Sequence, residues 1–327
     1  MSVTQHKLEA GDRLIIASHN RAKIPEFQQL LQPLGVTLSC AADHGLCEPE
    51  ETGATFEDNA ILKARAAAIV SGIPALADDS GLCVSGLAGA PGIYSARWAG
   101  AAKDFNTAMQ RVEYELRGKS DRSAGFVCVL ALCWPDGTIQ TYRGEVSGEI
   151  VWPPRGNGGF GYDPVFQPEG KNRTFAEMTA AEKHLLSHRS QACDHLLQDQ
   201  IETLALYRPT GPKELALVQA NGFRRWPPRR AEQPIFYPVT SDEYAIQIAR
   251  EWNVPASGAG YVTRFFVRKT FMDDYPTHQV GGAQHTEWWI PADALEALND
   301  NIIGRIEVIH AFASSDDATV SAISHSR

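Results

Sequence analysis

The sequence predicts an α/β fold followed by a second, smaller α+β domain. Three observations carry this expectation. From residue 13 to about 85, short β-rich apolar runs alternate with runs of helical period, as in a sheet covered by helices. Two longer runs then flank Pro135-Asp136-Gly137, a hairpin turn signal. Around Tyr207-Arg208-Pro209-Thr210-Gly211-Pro212 the pattern breaks, and a full set of strands and helices follows. A chain of 327 residues has room for two domains. The expected division is 1–206, 207–312 and a Ser/Asp-rich tail, 313–327, read as disordered.

The elements follow in order. Residues 13–17 (RLIIA) read as a strand. Ile24, Phe27, Leu30, Leu31 and Leu34 recur at helical spacing, and Gly35 closes that helix. Val36–Cys40 is a second strand. Thr55 is placed to cap a helix, with Asp58 three positions on, and the helix runs to Gly72. Pro74–Ala77 is a strand that ends in Asp78-Asp79-Ser80-Gly81. Asp104–Arg117 reads as a helix, Phe126–Trp134 and Thr138–Val151 as the hairpin, and 179–206 as a last helical stretch. In the second domain the pattern gives strand 204–208, helices 212–220 and 241–252, strands 260–267 and 285–290, a short helix from Pro291 and strand 302–310.

Composition excludes several classes. Apolar residues make up 43% and charged residues 21%, which rules out wholesale disorder. The net charge of −9 argues against a nucleic-acid binder, which needs a basic face. It leaves room for a local cationic pocket. The longest apolar run is the nine residues Phe126–Trp134, whereas a membrane span needs about 20. MSVTQHKLEAGDR lacks the apolar centre of a secretory signal. The six cysteines form no C-x-x-C pair, and Cys128 and Cys133 read as small core residues. A cytoplasmic location with no membrane and no nucleic-acid partner is expected.

Four motifs could carry chemistry. Ser18-His19-Asn20-Arg21-Ala22-Lys23 lies between a strand end and a helix start, where free N–H groups favour phosphate. The same residues also serve as an ordinary helix start with a solvated lysine. An acidic set comprises Glu48, Glu50, Glu51, Glu57, Asp58, Asp78 and Asp79. Adjacent carboxylates at a strand end lie where α/β folds bind ligands, and suit Mg²⁺ completed by substrate phosphates. A solvated turn is the plainer reading. In Gly156-Asn157-Gly158-Gly159-Phe160-Gly161-Tyr162-Asp163 the glycines allow close approach to a flat ligand, Phe160 can stack on a base, and Asp163 can accept a hydrogen bond. A loop tip with a buried Phe is the alternative. Lys183, Ser187, His188 and Arg189 can converge on phosphate and a purine edge, or simply complement a helix end.

The order of these motifs resembles one family. S-x-N-x-x-K-x-x-E-F, E-T-G-x-T-F-x-x-N-A-x-L-K-A, A-D-D-S-G-L-x-V, G-A-P-G-I-Y-S-A-R, G-x-G-G-F-G-Y-D-P-x-F and E-K…S-H-R occur in sequence over about residues 13–200. This resembles the inosine/xanthosine triphosphate pyrophosphatases. The resemblance implies two lobes around an elongated mixed central sheet, a homodimer, and Mg²⁺-dependent hydrolysis of ITP, dITP and XTP to the monophosphate and pyrophosphate. By motif, Ser18, His19, Asn20, Arg21, Ala22 and Lys23 would hold the triphosphate. Asp79 would be metal ligand and general base, with Glu51 as acidic partner and Lys23 as the catalytic cation. Ser80, Phe160, Gly161, Tyr162, Asp163, Lys183, His188 and Arg189 would contact substrate. A 6-oxo purine presents an acceptor where adenine presents a donor, so donors from His188 or Arg189 would select it.

Residues 207–312 lie outside that pattern. They resemble a small bacterial family labelled as ADP-ribosylation-related, and loosely the ADP-ribosyltransferase fold. That resemblance would place Arg208, Tyr244 and Glu287 around NAD. A purely structural module is the alternative.

Overall fold

The computed structural model describes residues 6–282 and 284–313. The expected tail lies outside the described residues from 314 onward. The chain divides into two compact units between Gln200 and Ile201.

In the first unit, β1 (Arg13–Ile16), α1 (Ile24–Leu30), β2 (Thr37–Cys40), α2 (Phe56–Ser71) and β3 (Ala75–Val84) come first. Then follow α3 (Ser95–Trp98), α4 (Phe105–Glu115), β4 (Ser123–Cys133), β5 (Ile139–Ile150), β6 (Phe166–Pro168), α5 (Ala180–His184) and α6 (His188–Gln200). The mixed sheet has the order β2-β1-β3-β4-β5-β6. β1 runs parallel to β2 and β3, and the remaining pairs are antiparallel. Two apolar cores lie along the long strands. One packs Ala60, Ala64, Ala67 and Ala68 of α2 on Ile15, Ala77, Val127 and Val129. The other gathers Leu82, Val112, Phe126, Phe166 and Phe175. The Thr55–Asp58 capping box that opens α2 is present, and Gly72 closes that helix in the left-handed conformation.

Two sequence expectations need correction here. β3 does not end at Ala77. Its register with β4 continues through Asp78↔Leu130, Asp79↔Val129 and Ser80↔Cys128, so the aspartates lie within a strand, not in a turn. The distant hairpin supplies the partner that the local sequence does not reveal. Gly81 permits this, because a Cβ there would collide with the Gly92 carbonyl. The stretch 179–206 is not one helix. α5 ends at His184, α6 begins at His188, and the chain turns to strand by Thr203. Lys183 and Ser187 therefore do not share one helical face.

The second unit contains β7 (Thr203–Thr210), α7 (Pro212–Ala220), β8 (Ile235–Phe236), α8 (Asp242–Ile248), α9 (Val254–Ser257), β9 (Ala259–Arg268) and α10 (Lys269–Met272). β10 (Thr277–Gln279), β11 (Thr286–Trp288), β12 (Ile290–Pro291), α11 (Leu295–Asp300) and β13 (Ile302–Ala313) complete it. A π-helical turn, Ala249–Asn253, joins α8 to α9. The main sheet is β13-β9-β7, with two-stranded ribbons β10-β11 and β12-β8. Trp226, Phe236, Phe265, Trp288 and Leu298 form its core.

Gly144 sets the seat of α6. A Cβ there would overlap the His188 carbonyl and the Ala192 N–H. Gly144→Ala should therefore cost about 1–3 kcal/mol by overpacking. At roughly 2–4 °C per kcal/mol for a unit of this size, the thermal midpoint should fall by several degrees. An unchanged midpoint would contradict this packing.

Candidate active site in the first unit

β3 outruns β1, which pairs with it only at Ala75 and Leu76. Asp78 and Asp79, which follow Ala77, therefore stand beyond the carboxyl end of the parallel pair. Successive strand residues face opposite ways, so each aspartate serves a different side of the sheet.

On the first side, buried Asp78 accepts from Lys23 Nζ at 2.7 Å and from Arg189 at 3.0 Å. Arg189 also donates to both oxygens of Glu26, at 3.0 and 3.1 Å. Burial alone would raise the Asp78 carboxyl. The Lys23 and Arg189 charges outweigh it and hold the group well below the usual carboxylate range. Burial opposes the Arg189 charge, but Asp78 and Glu26 outweigh that and keep the guanidinium protonated.

On the other side, Asp79 accepts from Lys63 Nζ at 3.1 Å and from Asn59 at 3.4 Å. Lys63 also donates to Glu51 at 2.7 Å. Asn59 and Lys63 are four apart on α2 and share a face. Burial raises the Asp79 carboxyl, Lys63 pulls it down, and the balance leaves it raised. Burial likewise works against the Lys63 ammonium, but Asp79, Asp78 and Glu51 overcome it and leave it raised. Arg97 donates to the Glu51 carbonyl at 2.9 Å. Among the described residues no three His, Cys, Asp or Glu side chains gather as a metal cage.

The turn between β1 and α1 is tied down locally. Asn20 N–H donates to Ser18 Oγ, the His19 ring meets the Leu46 carbonyl, and Arg21 pairs with Asp43. Ser80 points to the same side as Asp78, opposite Cys128 in the register. In the glycine-rich segment, Phe160 is 71% exposed, with its ring edge-on to Phe105 at 4.8 Å. Gly161 takes a positive φ of 69° beside it. Asp163 is buried and accepts from Phe160 N–H at 2.6 Å and Lys183 Nζ at 2.5 Å.

Three expected roles change. Tyr162 is buried and donates to the Ser95 carbonyl, so it braces the wall instead of offering its ring. His188 is buried and stacked on Phe126 at 5.1 Å. Burial, then Arg189 and Lys183, push it well below the usual histidine range, so it is a neutral ring and not a cationic grip. Arg189 is already committed to Asp78 and Glu26.

Asn59, Lys63, Glu26 and Arg97 stand in the motifs quoted above, but sequence reasoning gives them no role. Lys63 carried a signal, since it is a lysine on the small-residue face of α2 beside Ala60, Ala64 and Ala67, which is buried.

In the second unit Arg208, Tyr244 and Glu287 do not converge. Tyr207, Val239 and Glu287 are directly opposed across the strands, so their side chains share a face. Arg208, next to Tyr207, points to the other face. There it binds Glu214 and the Tyr237 carbonyl and lies over Phe236. The expected triad is not assembled, because strand alternation sends Arg208 to the other face.

Among the described residues no helix is long and apolar enough to cross a membrane. A model described as the Ham1 family matches residues 14–199. The chain is 53% identical over 197 residues to a dITP/XTP pyrophosphatase of Gluconobacter oxydans, spanning 60% of this chain and 95% of that protein. It is 57% identical over 191 residues to a dITP/XTP pyrophosphatase of Rhodospirillum centenum, spanning 58% and 94%. The solved Ham1 protein of Staphylococcus aureus superposes with a TM-score of 0.54 at 39% identity, over 57% of this chain and 96% of that one. A HAM1 protein from Coxiella burnetii gives 0.53 at 41% identity, over 57% and 96%.

Asp78→Asn removes the buried anion shared by Lys23 and Arg189, at a cost of roughly 3–5 kcal/mol. The folded carboxyl sits below its unfolded value, so its contribution is full above about pH 4 and is lost as pH falls through the folded value. Denaturant unfolding of the two proteins should differ most at neutral pH and converge in acid. Equal stability at pH 7 would contradict the network.

Proposed function

The chain belongs to the Ham1 family, and from that premise we propose that it hydrolyses ITP, dITP and XTP to the monophosphate and pyrophosphate. The family match and the dITP/XTP pyrophosphatase relatives support this reading. The observation that carries it is the pair of carboxylates, Asp79 and Glu51, held on one Lys63 ammonium at 3.1 and 2.7 Å.

That donor set fits Mg²⁺, which is commonly held by one or two carboxylates and completed by substrate phosphates and water. Asp79 and Glu51 would hold the ion, and it would neutralise phosphate charge when bound. The other work falls to the chain itself. Asp79 orients the attacking water and accepts its proton, and a raised carboxyl suits a base. Lys63 keeps the two carboxylates together against their repulsion. Lys23, 29% exposed at its side chain, offers its free N–H bonds to the triphosphate, alongside the Ser18–Arg21 turn. Ser80, Phe160, Gly161 and Lys183 line the base and sugar side, with the exposed Phe160 ring as a stacking surface. Asp163 positions Lys183, and Arg189 positions Lys23 through their shared Asp78.

We place this activity in a cytoplasmic homodimer, with six free thiols consistent with a reducing compartment. Residues 1–200 would be the pyrophosphatase domain and the unit from Ile201 an accessory domain, since the boundary expected at 206 falls inside β7.

The test is pyrophosphate release from ITP, dITP, XTP, GTP and ATP, with and without Mg²⁺. Fast Mg²⁺-dependent release from the first three is expected. Asp79→Asn should lower kcat by about 10²–10⁴ while the protein stays folded. Orthophosphate as product, or full activity of Asp79→Asn, would overturn the assignment.

A further inference from the structure

The second unit carries an aromatic cluster around one carboxylate. Glu287 on β11 is half-buried, and among the described residues it pairs with no lysine, arginine or histidine. Its one hydrogen bond comes from Trp289 Nε1 to Oε1 at 2.7 Å, which leaves Oε2 free. Removing a carboxylate from part of its water without a cation is costly. The residues around it are aromatic. His278 stands directly opposite it in the β10–β11 register and stacks on Trp289 at 4.3 Å and 21°. Tyr237 meets Trp289 edge-on at 6.2 Å. Trp289 is 42% exposed and Tyr237 37%. Tyr244 lies near enough that, after burial, the Glu287 charge raises its phenol.

The nearby His285 does not supply the missing charge. Its Nδ1 accepts from Gly282 N–H at 3.2 Å, so Nε2 carries the proton and donates to Gln247 Oε1 at 3.0 Å. Its ring stacks on Tyr244 at 4.4 Å.

We propose that Glu287, with Trp289, His278 and Tyr244, forms a binding site for a small, free alkylated ammonium ion. Aromatic faces carry negative potential and attract such ions, which shed their water more readily than a bare ammonium or a metal ion. The carboxylate supplies the compensating charge. The site is independent of the chemistry on β3.

The full-length chain is titrated with choline and with 3,3-dimethylbutan-1-ol, in which carbon replaces the nitrogen, following saturation transfer to the ligand methyls by NMR. Saturable choline binding is expected, at least tenfold tighter than the neutral alcohol. Glu287→Gln should weaken choline at least tenfold and erase the difference between the two ligands. Trp289→Leu provides a second variant, with the same expected loss of choline, should Glu287→Gln fail to fold. Equal binding of choline and the alcohol, choline affinity unchanged in a folded variant, or no saturable binding of choline would overturn the proposal.

Discussion

Two consecutive residues of β3 are aspartates, and strand geometry sends them to opposite sides of the sheet. The two charge networks of the candidate site follow from that constraint. Asp78 meets the β1–α1 turn and α6, and locks Lys23 to Arg189. Asp79 meets α2 and shares Lys63 with Glu51. The two share a backbone but not a role. One is saturated by two cations and holds elements together. The other is only partly compensated, and burial leaves its carboxyl raised. The sheet makes this possible because β1 stops short and opens one edge of β3, while β4 continues to hold the other.

The second unit solves its electrostatics differently. Glu214 takes Arg208 and Arg229 together and is lowered despite its burial, which Arg208 foremost outweighs. That closes the face of β7 on which an NAD site had been expected. The opposite face carries Tyr207, Val239 and Glu287 in one row, and there the charge is left open. The same alternation that separates Asp78 from Asp79 thus separates a finished ion cluster from an unfinished one.

Much of the first unit was legible in the sequence because its signals are local. The Thr55–Asp58 cap and the 135–137 turn are written within a few residues. Motifs single out Asp79, Glu51 and Lys23, and the structure brings the first two together on Lys63 and sets Lys23 on Asp78. The continuation of β3 through Asp78–Gly81 was not legible, because it depends on pairing with a strand some 50 residues away. Lys63 was overlooked because a helix lysine is ordinarily solvated, and only the packing of α2 shows it buried. The linear motif offers His188 and Arg189 as donors to a purine, and neither the burial of His188 nor the distant Glu26 can be seen in it. In the second unit, three residue types matched a degenerate pattern, but parity along β7 sent Arg208 the wrong way.

Asp79 is proposed to hold the metal ion, whereas Asp78 ties Lys23 to Arg189 and holds no metal. Mn²⁺ binding to the full chain, followed by electron paramagnetic resonance at a temperature where each protein is folded, tests it directly. Asp79→Asn should weaken Mn²⁺ at least tenfold, while Asp78→Asn binds like the wild type. Loss of Mn²⁺ on replacing Asp78, with Asp79→Asn unaffected, would contradict the account.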